Sequence, residues 1–276
     1  MKTIKITLIV ILLVSASACT NRVDKTYREA RKLRDMGKPL EAIVKYRETL
    51  QLNPNHAPSQ AELGEILVSL GRYNEAATHL TKATELQPEQ VHLHLLLSRA
   101  LKEAGQTEQA LLSLTKARML DAKNPRILVE LGLAYQELSR YDEAEQTFEE
   151  ALAAQADFAP AYSGLGETYY FLRMSDKSIE CFEKAIALGD TTARTRMHYG
   201  LALDSQGRVD EAIQILLKAL EIEPDNGSAL LYLAKMYWQK RDYEKAVESL
   251  EKLQMVEPDN TSFIHLLEES RRRIQK

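Results

Sequence analysis

The chain holds only two cysteines, Cys19 and Cys181, in 276 residues, so no disulfide framework can support it. It has no glycine-rich phosphate loop and no cysteine or histidine set at metal-ligand spacing. His92 and His94 are two residues apart, which turns them to different sides of a helix, unlike a chelating i, i+4 pair. These absences remove the usual routes to metal, cofactor and enzymatic chemistry, and no small-molecule substrate is expected. Basic excess is missing too. Setting aside Lys2 and Lys5 takes the 36 basic residues to 34 against 40 acidic ones, a net charge of −6. Nucleic-acid binding needs the opposite sign. The longest uncharged apolar run, Ile6 to Ala18, has 13 residues, short of the roughly 20 needed to cross a bilayer as a helix.

That run has another use. Lys2 and Lys5 precede it as a positive segment, and its length is that of a signal-peptide core. Residues 1–18 therefore read as a secretory signal. Two cleavages fit. Ala16-Ser17-Ala18 suits an ordinary signal peptidase, which would release a soluble periplasmic protein. Ser15-Ala16-Ser17-Ala18-Cys19 resembles a bacterial lipobox, departing from it at Ala16, where a larger aliphatic residue is commoner. The lipobox reading is favoured, because one of only two cysteines stands directly after the cut. It implies an acylated Cys19, several acyl chains giving stable anchoring where one is marginal. Residues 19–22 would then be a short tether. Thr20 stands where an Asp would retain a lipoprotein at the inner membrane of enteric bacteria, which points to an outer-membrane lipoprotein facing the periplasm.

From residue 23 to 260 one pattern recurs at a period of 34. It is clearest in Pro125–Phe158. Leu128, Leu131 and Tyr135 fall at helical spacing on one face, as do Ala144, Phe148, Ala151 and Leu152 after the short connection Ser139-Arg140. A short connection makes two such helices antiparallel neighbours. Gly132 sits where a helix favours Ala by roughly 1 kcal/mol, so a close approach to the small Ala144 is expected, with Tyr135 and Phe148 filling the space beside it. Moving in steps of 34, the Gly132 position reads Ala30, Gly64, Ser98, Gly132, Gly166, Gly200 and Ala234. The Ala144 position reads Ala42, Ala76, Ala110, Ala144, Ser178, Ala212 and Ala246, and the Phe148 position is always large. Pro54, Pro88, Pro224 and Pro258 close four of the units.

These residues resemble the tetratricopeptide repeat, whose period, small positions and terminal proline they match. The resemblance implies an all-α fold, a right-handed α-solenoid of seven helix pairs: 23–56, 57–90, 91–124, 125–158, 159–192, 193–226 and 227–260. Residues 261–276 form a C-terminal capping helix with Phe263, Ile264, Leu266, Leu267 and Ile274 as its apolar face and Arg271-Arg272-Arg273 on a solvated one. The helix over about 24–36 is the N-terminal cap. No linker or composition break interrupts the array. Asn or Asp at Asn53-Pro54-Asn55, Pro224-Asp225-Asn226 and Pro258-Asp259-Asn260 should cap following helices. Leu172–Ser175, lacking the glycine of Gly71, Gly105 and Gly207, and Leu188–Thr192 depart from the pattern and are expected to alter the solenoid pitch. Cys181 reads as a small, partly buried apolar residue.

In this family the concave groove is lined by the second, fifth, ninth, twelfth and thirteenth residues of each first helix. By position, that offers Leu95, Val129, Leu133, Tyr170, Phe171 and Met197, followed by Leu201, Leu231 and Trp238. Arg99 and Lys235 join them as polar contacts. The wider rim includes Lys102, Glu103, Arg126, Gln136, Glu137, Glu167, Arg194 and Asp204. An apolar groove of this kind marks a binding surface. The Lys and Asn that grip a terminal carboxylate in chaperone-binding members are missing at the fifth and ninth places, and so is the asparagine ladder of sugar-transferase members at the sixth. The expectation is a non-catalytic, membrane-anchored adaptor that binds protein or peptide segments in bacterial envelope assembly. Its alternatives are a pilotin for a type IV pilus secretin and a non-catalytic subunit of a polysaccharide synthesis or export complex.

Overall fold

A computed structural model describes residues 21–275. The signal segment and Cys19 lie outside the described residues. Among the described residues, 15 helices and no strands are present. Contacts divide the chain into two compact units, the first ending at Ala122 and the second beginning at Lys123, although composition marks no break there.

The first unit is three antiparallel helix pairs: α1 (residues 21–35) with α2 (Pro39–Leu52), α3 (Ala57–Ser69) with α4 (Tyr73–Leu86), and α5 (Val91–Glu103) with α6 (Thr107–Leu120). The second unit continues the scheme with α7 (Pro125–Glu137) and α8 (Tyr141–Ala154), α9 (Ala159–Phe171) and α10 (Ser175–Ala187), α11 (Ala193–Ser205) and α12 (Val209–Ile222), and α13 (Gly227–Gln239) and α14 (Tyr243–Val256). A last helix, α15 (Ile264–Ile274), packs on α14. Within each unit the second helix of a pair packs on the first helix of the next, so each unit is a short α-solenoid.

Two sets of residues set this geometry. The first lies between the helices of a pair. Ser178 Oγ donates to Gly166 O at 2.7 Å, and a Cβ on Gly200 would stand 3.3 Å from Ala212 O, so the two small positions do meet. At Gly132 the tightest neighbour is different: a Cβ there would lie 2.7 Å from two ring atoms of Phe148, ahead of anything on Ala144. The ring is also pressed from the other side by Gly164, in the next repeat. The large residue sixteen positions on thus fills the notch that the glycine leaves.

The second set is the turn inside each pair. The residues at its apex are Gly37, Gly71, Gly105, Ser139, Arg173, Gly207 and Arg241, all with φ between 57° and 75°. This left-handed conformation is easy for glycine and costly for others. The Leu172–Ser175 turn is therefore built like the rest: Arg173 N donates to Tyr170 O and Met174 N to Tyr169 O, as Gly105 N does to Lys102 O and Gln106 N to Leu101 O. Leu188–Thr192 does depart. Gly189 takes φ 94°, and Asp190, where four other repeats have proline and two have alanine, accepts hydrogen bonds from Thr192 N, Thr192 Oγ1 and Thr195 Oγ1 at 2.7–2.8 Å.

Capping follows the sequence at α13, where Asn226 Oδ1 accepts from Ala229 N at 3.0 Å. At α3 the cap is His56, not Asn55: its Nδ1 accepts from Ser59 N at 3.3 Å. At α15 the helix begins after Phe263 without a side-chain cap, and Asn260 serves the preceding turn instead. That helix buries Phe263, Leu267 and Ser270, whereas Ile264 and Ile274 are exposed, because an 11-residue helix on one neighbour buries only a narrow stripe. Arg271, Arg272 and Arg273 pair with Glu251, Glu268 and Glu269.

Candidate protein-binding face

Each first helix turns one side to its partner and the opposite side away from the pair. In the second unit these outward sides belong to α7, α9, α11 and α13, where neighbours α7 and α9, and α9 and α11, touch directly. Phe171, at the end of α9, is 41% exposed. Its ring stacks on Tyr141 at 5.1 Å and meets Tyr170 and His198 edge-on at 5.5 and 6.4 Å. Tyr170, Met197 and Leu231 are half-buried beside the core of this unit, and Trp238 is half-buried with its ring 6.3 Å from that of Tyr243. Leu133 is also half-buried, and Lys235 is exposed with its Nζ 5.3 Å from the Tyr232 ring centre.

Two of the expected lining residues sit deeper. Val129 and Leu201 are 7% and 6% exposed and belong to packed clusters, so they support the face without presenting surface to a partner. Position alone does not bury them: Met197 and Leu231 at the fifth place and Leu133 at the ninth are half-buried, so the side chains around each site decide. Leu95, half-buried, and Arg99, exposed, belong to the first unit.

The polar rim is partly not a rim. Gln136 is buried, its Nε2 donating to Gly164 O at 2.9 Å and Thr168 Oγ1 at 2.8 Å across the repeat boundary. Glu167 is also buried. Arg194 donates to both its oxygens at 2.9 and 3.0 Å, and His198 Nε2 lies 3.3 Å from Oε1. Burial drives the His198 pKa below its ordinary value against the pull of Glu167, so the ring is neutral at pH 7. Asp204 has its pKa raised by burial alone. The Tyr170 phenol is pushed up by burial and then by the charges of Tyr232 and Asp204. His198 and Tyr232 are functional candidates that position-by-position reading passed over. His198 stands at the sixth place, outside the expected lining set, and only its contacts with Glu167, Tyr170 and Phe171 bring it into the face.

Family patterns for the tetratricopeptide repeat match residues 33–100, 68–128, 101–167 and 203–269, and a further one matches 163–227. The chain belongs to the tetratricopeptide repeat family. No curated protein matches it. Among solved structures, a tetratricopeptide repeat protein from Parabacteroides merdae superposes with a TM-score of 0.75 at 17% identity, over 93% of this chain and all of that one. A chain of the APC/C Cut9–Hcn1 hetero-tetramer gives 0.73 at 18% identity, over 87% of this chain and 48% of that one. PilF of Pseudomonas aeruginosa gives 0.63 at 21% identity, over 77% and 97%. At these identities the likeness is one of fold. Tetratricopeptide repeats are protein-interaction scaffolds, and on the first helices of the second unit Phe171 is the exposed large apolar side chain, with Tyr170, Met197, Leu231 and Trp238 half-buried.

Proposed function

We propose that this tetratricopeptide protein is a lipid-anchored adaptor of the bacterial envelope, held to the outer membrane through Cys19 and binding a protein segment on the first-helix face of its second unit. The observation that carries the binding surface is Phe171. A large aromatic ring at 41% exposure, held in place by Tyr141, Tyr170 and His198, still turns part of its surface outward, and exposed aromatics of this kind are enriched among binding hot spots. The anchor rests on the sequence, where a signal core runs directly into Cys19.

Photo-crosslinking in the native envelope tests both parts. A photoreactive residue at Tyr170 or Trp238 should trap one envelope component, identified by mass spectrometry. A type IV pilus secretin would specify a pilotin, and a polysaccharide synthase or exporter would specify the subunit alternative. Crosslinks confined to the chain itself would show that these aromatics are packing residues and end the proposal for this face. Cys19→Ser should move the protein from the membrane to the soluble periplasmic fraction; an unchanged distribution would remove the anchor.

A further inference from the structure

Met119, 81% exposed, is the most exposed large apolar side chain among the described residues. Leu112, 68% exposed, lies two turns before it on the same helix, α6. Both line a groove of about 690 Å³ between α4 and α6, with buried Leu97 and Leu101 of α5 beneath. The groove lies wholly within the first unit. Solenoid packing does not call for an apolar residue at the Leu112 place. The first repeat has Val44 there, but the remaining five have Thr78, Gln146, Glu180, Gln214 and Glu248.

The charges around Leu112 say what covers it. In α10 and α14 the acid at this place pairs with the lysine one turn on, Glu180 with Lys184 and Glu248 with Lys252, each at 2.8 Å. In α6 the lysine is kept as Lys116, but the acid has become Leu112. One turn before Leu112 stands Glu108, and both charged residues are exposed. Among the described residues neither Glu108 nor Lys116 is in an ion pair. Spacing by four places Glu108, Leu112 and Lys116 in one row along the outer side of the helix, with Met119 on the same side. This row is its own complement when reversed. A second α6 laid antiparallel, with a two-fold axis at Leu112, sets leucine on leucine and each Glu108 against the other copy's Lys116. Laid parallel, it would set acid on acid and base on base, which is costly.

We infer that two copies of this chain associate through α6, antiparallel across a two-fold axis at Leu112, with two Glu108–Lys116 pairs flanking the leucines. Met119 extends the apolar contact past each ion pair, and its flexible thioether adapts to the surface that it meets. Such an interface is isologous, each copy giving and receiving the same contacts. One helix face falls short of the roughly 800 Å² per partner of a standard interface, so the dimer is a weak one with a micromolar Kd. It uses no residue of the face on α9, α11 and α13 and stands independently of what that face binds.

Sedimentation equilibrium of the Cys19→Ser chain, at concentrations up to about 500 µM, tests this. The expected result is a monomer–dimer equilibrium. Glu108→Lys and Lys116→Glu should each raise Kd about tenfold or more, because each sets like charges together at both ends of the interface. Mixing the two variants should restore association, since a mixed pair again sets opposite charges together at both ends. Leu112→Asp should abolish the dimer. All three side chains are exposed, and melting temperatures equal to the parent's would show that the fold is intact. A chain that stays monomeric throughout would overturn the inference, as would a dimer that ignores both charge variants. A dimer broken by Leu112→Asp, whose two charge variants fail to associate when mixed, would overturn the antiparallel pairing.

Discussion

Phe148 is clamped between two glycines, and that clamp can be measured. A methyl group at Gly132 would sit 2.7 Å from ring atoms Cε1 and Cζ, well inside contact distance. The ring cannot retreat, since Gly164 presses it from the neighbouring repeat and it is fully buried. Alanine returns roughly 1 kcal/mol of helix propensity. Overpacking costs about 1–3 kcal/mol, and a ring that cannot retreat puts this site at the upper end, about 3 kcal/mol, so Gly132→Ala should lose about 2 kcal/mol net where propensity alone predicts a gain. For a chain of this length that is a drop of about 4–8 °C in Tm. Gly200→Ala is the control. Its Cβ would meet Leu216 Cγ at 3.1 Å and Ala212 O at 3.3 Å, tight contacts but not the overlap found at Gly132, so this variant should lose clearly less than Gly132→Ala. The first repeat shows the permissive case: Ala30 occupies the equivalent site beside buried Tyr46, and the next repeat presents there not a glycine but Glu62, which accepts from the Tyr46 hydroxyl at 2.5 Å. Thermal melts by circular dichroism, with hydrogen exchange on α7 and α8 to locate the loss, provide the assay. A Gly132→Ala chain that melts at or above the parent would refute the clamp.

Three further outcomes follow from the same structure. Arg173→Gly or Arg241→Gly relieves a left-handed turn residue and should raise stability by about 1 kcal/mol each, read from denaturant midpoints; a loss would mean those side chains contribute more than the strain they carry. Asp204 has a folded pKa above its unfolded value, so its ionisation costs stability above that pKa and the cost is absent below the unfolded one. Asp204→Asn should therefore be the more stable chain at pH 7, with the difference closing as pH falls through the carboxylate range; an equal gap at both ends would point to a lost contact. Burial pushes the Cys181 thiol up to about 11 from 9.0, so in a Cys19→Ser chain at neutral pH its alkylation should run about a hundredfold slower folded than in urea. Equal rates would show the thiol to be open.

The period was readable because it lives in side-chain size, and size repeats every 34 residues whatever the neighbours do. Contacts across a repeat boundary were not readable in the same way. That Phe148 rather than Ala144 answers Gly132 depends on how two helices cross, and that Gly164 closes the far side depends on the next repeat's sixth residue. The turn apex shows the middle case. Ser139, Arg173 and Arg241 carry no turn signal alone, yet each falls in register with Gly37, Gly71, Gly105 and Gly207, and register alone would have assigned them a positive φ. The site follows the same rule. Twelfth-place residues are identifiable by counting, and counting put Gln136 and Asp204 on a polar rim. What separates them from ordinary rim residues is that Gln136 spends its amide on the neighbouring repeat while Asp204 is given no cation at all. Counting along a first helix fixes which place a residue holds; which of its atoms the fold uses depends on how the next repeat's helix crosses it, and that is absent from the count.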